Sequence, residues 1–351
     1  GVGDVQQQRE GGGVVHLLHL APGGIHGGEL LRPGHGIEPG LLGALVGQDK
    51  ADVGLIGHHG GDAGVHIHVV SDGDVVIAIG GNGDIPLAEQ LQQAKTGADR
   101  ARKYLAYFQA YTNTYAEVAT LRGLYKAALT SADVVGLCVG TRPDCVPDAV
   151  LDLLAGYRDQ GYEVWLELGL QSACDETLAR INRGHGWAAY ADAVRRARLR
   201  GLAVCTHLIV GLPGESPAQP LDTLARVVDA GVEGLKLHPL HIVRGSRMAA
   251  QFRRGELAPV GLEEYAGIAS ELIRHTPPAV VFHRVSATAK RDVLLAPDWC
   301  ADRWPSIQAI TGQLARSGPQ GSALGQPWQP PQAGDTAARM PSGTGTVVPL
   351  A

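Results

Sequence analysis

The sequence lacks clustered cysteine. Its five cysteines are Cys138, Cys145, Cys174, Cys205 and Cys300, and no C-x-x-C spacing occurs anywhere in the 351 residues. Closely spaced thiolates hold structural zinc and iron–sulfur clusters, so this set predicts no metal site. An odd number of unpatterned cysteines also argues against a disulfide framework and favours a reducing compartment. We therefore expect a cytoplasmic protein.

Long apolar runs and an excess of basic charge are missing as well. No stretch reaches the roughly 18 apolar residues that a membrane-spanning helix needs, and the N-terminus lacks the pattern of a signal peptide. We therefore expect no membrane association. The net charge of −5 argues against a strongly nucleic-acid-binding protein, although a local basic groove stays open. An apolar share of 44% is enough for a sizeable core.

Aromatic residues are absent from residues 1–84, which contain no Phe, Tyr, Trp or Cys but hold 23 of the 48 glycines and 8 of the 14 histidines. Dense glycine raises the entropy cost of ordering a backbone, so a poorly ordered extension is one interpretation. The apolar runs at 65–70 and 75–79 could form strands. A second interpretation is metal binding by four of the histidines, namely His58, His59, His66 and His68.

From Leu87 the sequence alternates between short apolar runs and amphipathic stretches. The predicted strands are 104–107, 134–139, 164–168, 204–210, 235–238 and 280–283, and the predicted helices are 116–129, 147–160, 174–181, 187–200, 221–230 and 262–275. Repeated βα units predict an α/β fold with a parallel sheet, and five units plus a final strand fall short of an eight-unit barrel. The barrel domain is expected over 85–316, and the Pro- and Gly-rich residues 317–351 are expected to form a disordered tail.

Six segments carry a family resemblance when they are taken in series. They are Tyr104–Tyr115, Gly140–Asp144, Glu167–Gln171, Arg180–His185, His207–Glu215 and Leu235–His241. Together they resemble the radical S-adenosylmethionine (radical SAM) superfamily, and within it the YhcC-type family, from about residue 87 to about 314. The resemblance implies a partial (β/α)6 TIM-like barrel. We expect its first βα unit to be missing or replaced by the irregular glycine-rich segment, which would leave the strand at 104–107 as an unpaired edge.

The resemblance also implies a cofactor. Members of the superfamily cleave S-adenosylmethionine reductively at a [4Fe-4S] cluster, with an electron donor such as flavodoxin or ferredoxin, and so abstract hydrogen from a substrate. The family carries its C-x3-C-x2-C motif where residues 1–84 stand here, so a third interpretation of that segment is translation from a wrong reading frame or start. Without the motif we expect impaired cleavage. The alternative is an inert barrel fragment or a metal-free binding module.

A third function class is an unrelated barrel enzyme, such as an aldolase or a phosphate-binding isomerase. The serial motifs and the lack of a glycine-rich phosphate turn after the late strands argue against it. The substrate is not indicated by the sequence. RNA enters as a candidate only by analogy with neighbouring branches of the superfamily.

Polar residues that follow the strands are the cofactor-binding candidates, because parallel barrels bind ligands at the carboxyl ends of their strands. By resemblance, Gln109 and Thr112 lie against the amino group of S-adenosylmethionine, although an ordinary turn would also explain them. Gln171 and Arg183 match the pair that contacts the ribose and carboxylate. Arg183 could equally be a helix-end charge. His207 matches a cofactor-contacting position but could be a core histidine.

The substrate candidates are Arg142, His238, His241, His283 and Arg284. A planar guanidinium such as that of Arg142 can hold a carboxylate or phosphate, while the same turn could simply start a helix capped by a neighbouring aspartate. His238 and His241 could protonate or orient a substrate. The other two resemble a His-Arg pair of the family near the barrel mouth.

Overall fold

The computed structural model describes residues 104–109, 112–131 and 133–326, together with three short strands nearer the N-terminus. Those strands are β1 (Leu18–Leu20), β2 (His66–Ile67) and β3 (Ile77–Ala78). Of the four histidines proposed to bind metal, His66 lies in β2 and the other three lie outside the described residues. The part of the expected tail (317–351) beyond residue 326 lies outside them as well. Pairing of β2 with β3 in an antiparallel hairpin confirms strands within both apolar runs.

Seven parallel strands form the principal sheet, in the order β1-β4-β5-β6-β7-β8-β10. Besides β1, the strands of this sheet are β4 (Tyr104–Phe108), β5 (Val134–Thr141), β6 (Glu163–Gln171), β7 (Ala203–Val210), β8 (Gly234–Pro239) and β10 (Val281–Arg284). The helices are α1 (Val118–Ala128), α2 (Asp148–Asp159), α3 (Asp175–Arg180), α4 (Trp187–Leu199), α5 (Gln219–Asp229), α6 (Arg247–Arg253), α7 (Leu262–Arg274) and α8 (Arg303–Ser317). The sheet curls into a half-barrel, which confirms the predicted partial (β/α)6 TIM-like architecture.

The strands are buried along almost their whole length, as parallel sheets covered by helices require. In β5 and β6 every residue is buried except Val135 and Glu163, which are half-buried. The helices lay an apolar stripe on the outer face, as α5 does with Leu221, Leu224 and Val227. None of the described helices is long and apolar enough to cross a membrane.

One sequence-based expectation about the sheet is wrong. The strand at 104–107 is not an unpaired edge, because Leu18–Leu20 pairs with it in parallel, with Leu18 opposite Ala106. Four further elements have no counterpart in the predicted series. They are the helices α6 and α8 and the antiparallel pair of β9 (Ile242–Val243) with β11 (Leu294–Ala296).

Candidate functional site

Buried polar atoms without a hydrogen-bond partner among the described residues gather near the carboxyl ends of the strands. They include Gln109 Oε1 after β4, Gln171 Oε1 at the end of β6, and both ring nitrogens of His185 and His238. Folded proteins leave few such groups unsatisfied, and parallel α/β barrels bind ligands at this edge. The carboxyl edge is therefore the candidate binding site.

Gln171 adopts a strained backbone conformation at this edge. Its φ of +78° lies in the left-handed region, which costs a residue with a side chain about 1–2 kcal/mol. The pairing of β6 with β7 shifts register between Gly169 and Gln171. Strain in a buried residue whose side-chain oxygen lacks a partner is typical of ligand-binding positions.

Arg183 reaches the same point from beyond α3. Its Nη2 donates a hydrogen bond to the carbonyl oxygen of Gly169 at 3.0 Å. A Cβ atom on Gly169 would lie 2.7 Å from Arg183 Nη2 and 2.8 Å from Gln171 Nε2. The structure thus brings Gln171 and Arg183 together over a glycine backbone that leaves room for both side chains.

A second arginine, Arg142, lies close to the residue after Arg183, because a Cβ atom on Gly184 would be 2.8 Å from Arg142 Nη2. Arg142 is 7% exposed, and it donates from Nε and Nη2 to the two carboxylate oxygens of Asp144 at 3.0 and 2.8 Å. Burial alone would raise the pKa of Asp144, but Arg142 holds it below its usual range. Asp144 therefore pairs with Arg142, and the N-cap of α2 is Pro147 without a side-chain hydrogen bond. Burial lowers the pKa of nearby His185 to about 4, helped by the positive charge of Arg183.

The turn after β4 is held against β5 by Asn113. Its Nδ2 donates to the carbonyl oxygens of Phe108 and Gly140, each at 2.9 Å. Thr112, half-buried, accepts a backbone hydrogen bond from Tyr115 at 3.2 Å. These contacts position Gln109 and Thr112 at the edge of the sheet.

A buried charged network occupies the interior of the half-barrel, and Glu167 is at its centre. Its Oε2 accepts hydrogen bonds from Lys236 Nζ at 2.7 Å and pairs with His207 Nε2 at 2.8 Å. Its Oε1 accepts from Cys138 Sγ at 2.9 Å and lies 3.4 Å from His283 Nδ1. Burial alone would raise the pKa of this carboxyl, but Lys236 and the two histidines hold it well below its usual range. Glu167 is therefore an anion at neutral pH.

Sequence reasoning missed Glu167 and Lys236 as site residues. The available signal was a charged residue within each of two otherwise apolar strands, since such charges are buried only when they are paired. The thiol of Cys138, a fully buried residue of β5, donates to Glu167. His283 lies in this network as well, with its ring 4.4 Å from that of Trp165, and so is placed deep in the barrel and not beside its mouth.

Two further histidines lie towards the carboxyl edge. The ring of His238 stacks on that of His207, with centroids 5.4 Å apart. His241 contacts the carbonyl oxygen of Ala287 through Nε2 at 3.3 Å. Burial lowers the pKa of His207 and of His241 to about 4 and that of His238 well below its usual range. The nearby positive charge of Arg284 lowers these pKa values further, so the three rings are neutral at pH 7.

The cysteine thiols of this chain do not fit the [4Fe-4S] cluster that the resemblance implies, because three closely spaced thiolates would have to hold it. All five cysteines of the sequence fall within the described ranges. Two groups of metal-capable side chains occur there, Cys138–Glu167–His283 and Glu167–Cys205–His207, and each offers a single thiol. Neither group therefore supplies the three thiolates of such a cluster.

Two family models and several known proteins match this chain. The model of the radical SAM superfamily matches residues 68–227, and that of the radical SAM C-terminal domain matches residues 232–316. Protein YhcC of Escherichia coli (strain K12) is 60% identical over 245 residues, which covers 70% of this chain and 79% of YhcC. The uncharacterized protein YtqA of Bacillus subtilis (strain 168) is 37% identical over 216 residues, 62% of this chain and 67% of YtqA.

Among solved structures, Elp3 of the archaeon Methanocaldococcus infernus, with an N-terminal deletion of residues 1-46, superimposes with a TM-score of 0.53. The match covers 65% of this chain and 57% of that chain at 20% identity, and so shows the fold alone. The family models and the sequence relatives also show the family. The chain belongs to the radical SAM superfamily, as a YhcC-type protein.

Proposed function

We propose that the carboxyl edge of this half-barrel binds S-adenosylmethionine. The observation that carries the proposal is the strained, buried Gln171 beside Arg183. Arg183 offers a planar guanidinium suited to the methionine carboxylate, and the amide of Gln171 can bond a ribose hydroxyl. Gln109 and Thr112 would face the amino group, and the neutral ring of His207 would border the pocket.

For the family, the reaction would be reductive cleavage of S-adenosylmethionine at a [4Fe-4S] cluster, followed by hydrogen abstraction from a substrate. That reaction needs an electron donor of the flavodoxin or ferredoxin kind and three thiolates. The five cysteines of this sequence do not supply those thiolates at one place. We therefore propose that the chain as printed acts as a binding module, which takes up S-adenosylmethionine without cleaving it.

Anaerobic reconstitution with iron and sulfide tests the second half of this proposal. We expect the purified full chain to stay colourless, to hold less than one iron per chain and to form no methionine from S-adenosylmethionine with dithionite. A brown protein with about four irons per chain and methionine formation would overturn it. Calorimetric titration with S-adenosylmethionine tests the first half separately, because binding through Gln171 and Arg183 needs no cluster.

Replacing Gln171 by glycine is expected to weaken S-adenosylmethionine binding about tenfold, since a hydrogen bond to a ligand contributes about 1 kcal/mol or more. Glycine accepts a positive φ without strain, so the free energy of unfolding should change by less than about 1 kcal/mol. The matched control is Gln160→Ala, which removes an exposed amide at the end of α2. Unchanged affinity in Gln171→Gly, measured by calorimetry, would remove Gln171 from the site.

Replacing Gly169 by alanine tests the same pocket from its backbone. The new Cβ would displace the ends of Arg183 and Gln171, which are flexible and can move without disturbing the sheet. We expect at least a tenfold loss of S-adenosylmethionine affinity with the thermal unfolding temperature nearly retained. Gly156→Ala in α2 is the control, because its Cβ meets nothing within 4 Å. It should leave binding unchanged and slightly stabilise the helix; equal affinities in both variants would contradict the prediction.

A further inference from the structure

Arg284 is a cation without a counterion among the described residues. It ends β10 and lies opposite Lys236 of β8 in the strand pairing. His238 follows Lys236 by two residues, and so lies on the same face of β8 as this neighbour of Arg284. The charge of Arg284 also lowers the pKa of His238, after the larger effect of burial. Glu167, the carboxylate at the centre of the buried network, is already paired with Lys236 at 2.7 Å.

His238 is the second unusual group there. It is 2% exposed, and neither ring nitrogen has a hydrogen-bond partner among the described residues. Leaving one buried polar group unsatisfied costs about 1–3 kcal/mol. A neutral imidazole offers one donor and one acceptor, so a ligand that brings an oxygen to this ring would relieve that cost.

We propose that Arg284 and His238 form a subsite for an oxyanion of the substrate, a carboxylate or a phosphate group. A guanidinium binds such groups through two parallel hydrogen bonds, and the N–H of His238 can supply a third. The assignment of this subsite to a substrate rests on the proposed function. Binding of an oxyanion at Arg284 and His238 can be measured independently of that function.

The subsite is separate from the position of Gln171 and Arg183. Gln171 ends β6, whereas Arg284 ends β10, and β7 and β8 lie between them in the sheet. Three strand spacings correspond to roughly 14 Å along the sheet. A substrate anchored by its oxyanion at Arg284 would therefore extend towards a cofactor held at β6.

Inorganic phosphate and acetate are the probes, titrated separately into the full chain at constant ionic strength. The histidine ring resonances are followed by NMR and assigned with His238→Gln. We expect saturable shifts at His238 and a rise of its pKa when either anion binds, because the anion stabilises the protonated ring. A response to phosphate alone indicates a phosphorylated substrate, and a response to acetate indicates a carboxylate. Failure of both anions to shift His238 would overturn the subsite.

Charge variants complete the test. Arg284→Gln is expected to weaken binding of the responding anion at least tenfold and Arg284→Lys less, since lysine retains the charge without the planar fork. Arg254→Gln, which removes a surface arginine paired with Glu256, is the control.

Two outcomes would refute the subsite. One is equal anion affinity in Arg284→Gln and Arg254→Gln, and the other is displacement of the anion by S-adenosylmethionine. If S-adenosylmethionine fails to bind while phosphate binding depends on Arg284, the proposed function falls and the subsite stands.

Discussion

Replacing Glu167 by glutamine is expected to lower the free energy of unfolding by about 3–5 kcal/mol, the usual cost of removing one partner from a buried ion pair. Glu167 is fully buried and Lys236 is 2% exposed. Without the carboxylate, the Lys236 ammonium keeps the ring of Tyr107, 4.1 Å away, and a neutral amide oxygen, but no anion pairs with it among the described residues. Urea unfolding followed by circular dichroism measures the loss.

A double variant shows whether the loss of stability comes from the unpaired charge of Lys236. Lys236→Met in the Glu167→Gln background removes the stranded ammonium and is expected to recover more than half of the lost stability. The control is Glu256→Gln, which breaks an exposed ion pair with Arg254 and should not change stability measurably. If Glu167→Gln behaves like this control, or if the double variant is no better than the single, the network does not stabilise the barrel through paired charge.

The barrel could be predicted because its strands are continuous apolar runs separated by amphipathic helices, a pattern that local sequence carries. The boundaries were less accurate where polar residues end a strand. β6 was expected at 164–168 but runs from Glu163 to Gln171, and the positive φ of its last residue is a conformation that local sequence does not indicate for glutamine. β9 and β11 have two and three residues, too few to show a period.

The interior network could not be predicted, because it depends on the register of strands distant in the chain. Glu167 lies opposite Cys205, and Cys205 opposite Gly234, so that Lys236 reaches the carboxylate from two strands away. Likewise the pairing of Leu18–Leu20 with β4 joins segments that local patterns do not connect. Resemblance to a family pointed to Gln171 and Arg183, yet their meeting over Gly169 appears only in three dimensions.

Four histidines near the candidate site are expected to make the protein acid-labile between pH 6.5 and about 4. In His185, His207 and His241 the native pKa is about 4, against 6.5 for an ordinary histidine, and in His238 it is also well below 6.5. The unfolded chain therefore binds a proton at each position below pH 6.5, while the native state binds none until about pH 4. Stability is retained above pH 6.5 and lost as the pH falls through this window.

Each of the three histidines with a pKa of about 4 should cost about 2 kcal/mol between pH 7 and pH 5. His238 adds to this loss in the same direction, so the total reaches the range of stability of an ordinary domain. Urea unfolding at pH 7, 6 and 5 measures the decline. His241→Gln should reduce that decline by about 2 kcal/mol, since glutamine can keep the hydrogen bond to Ala287 without titrating. Gln160→Ala, which removes an exposed amide that does not titrate, should leave the decline unchanged. A decline that is the same in both variants would mean that proton uptake by the buried rings does not drive the acid transition.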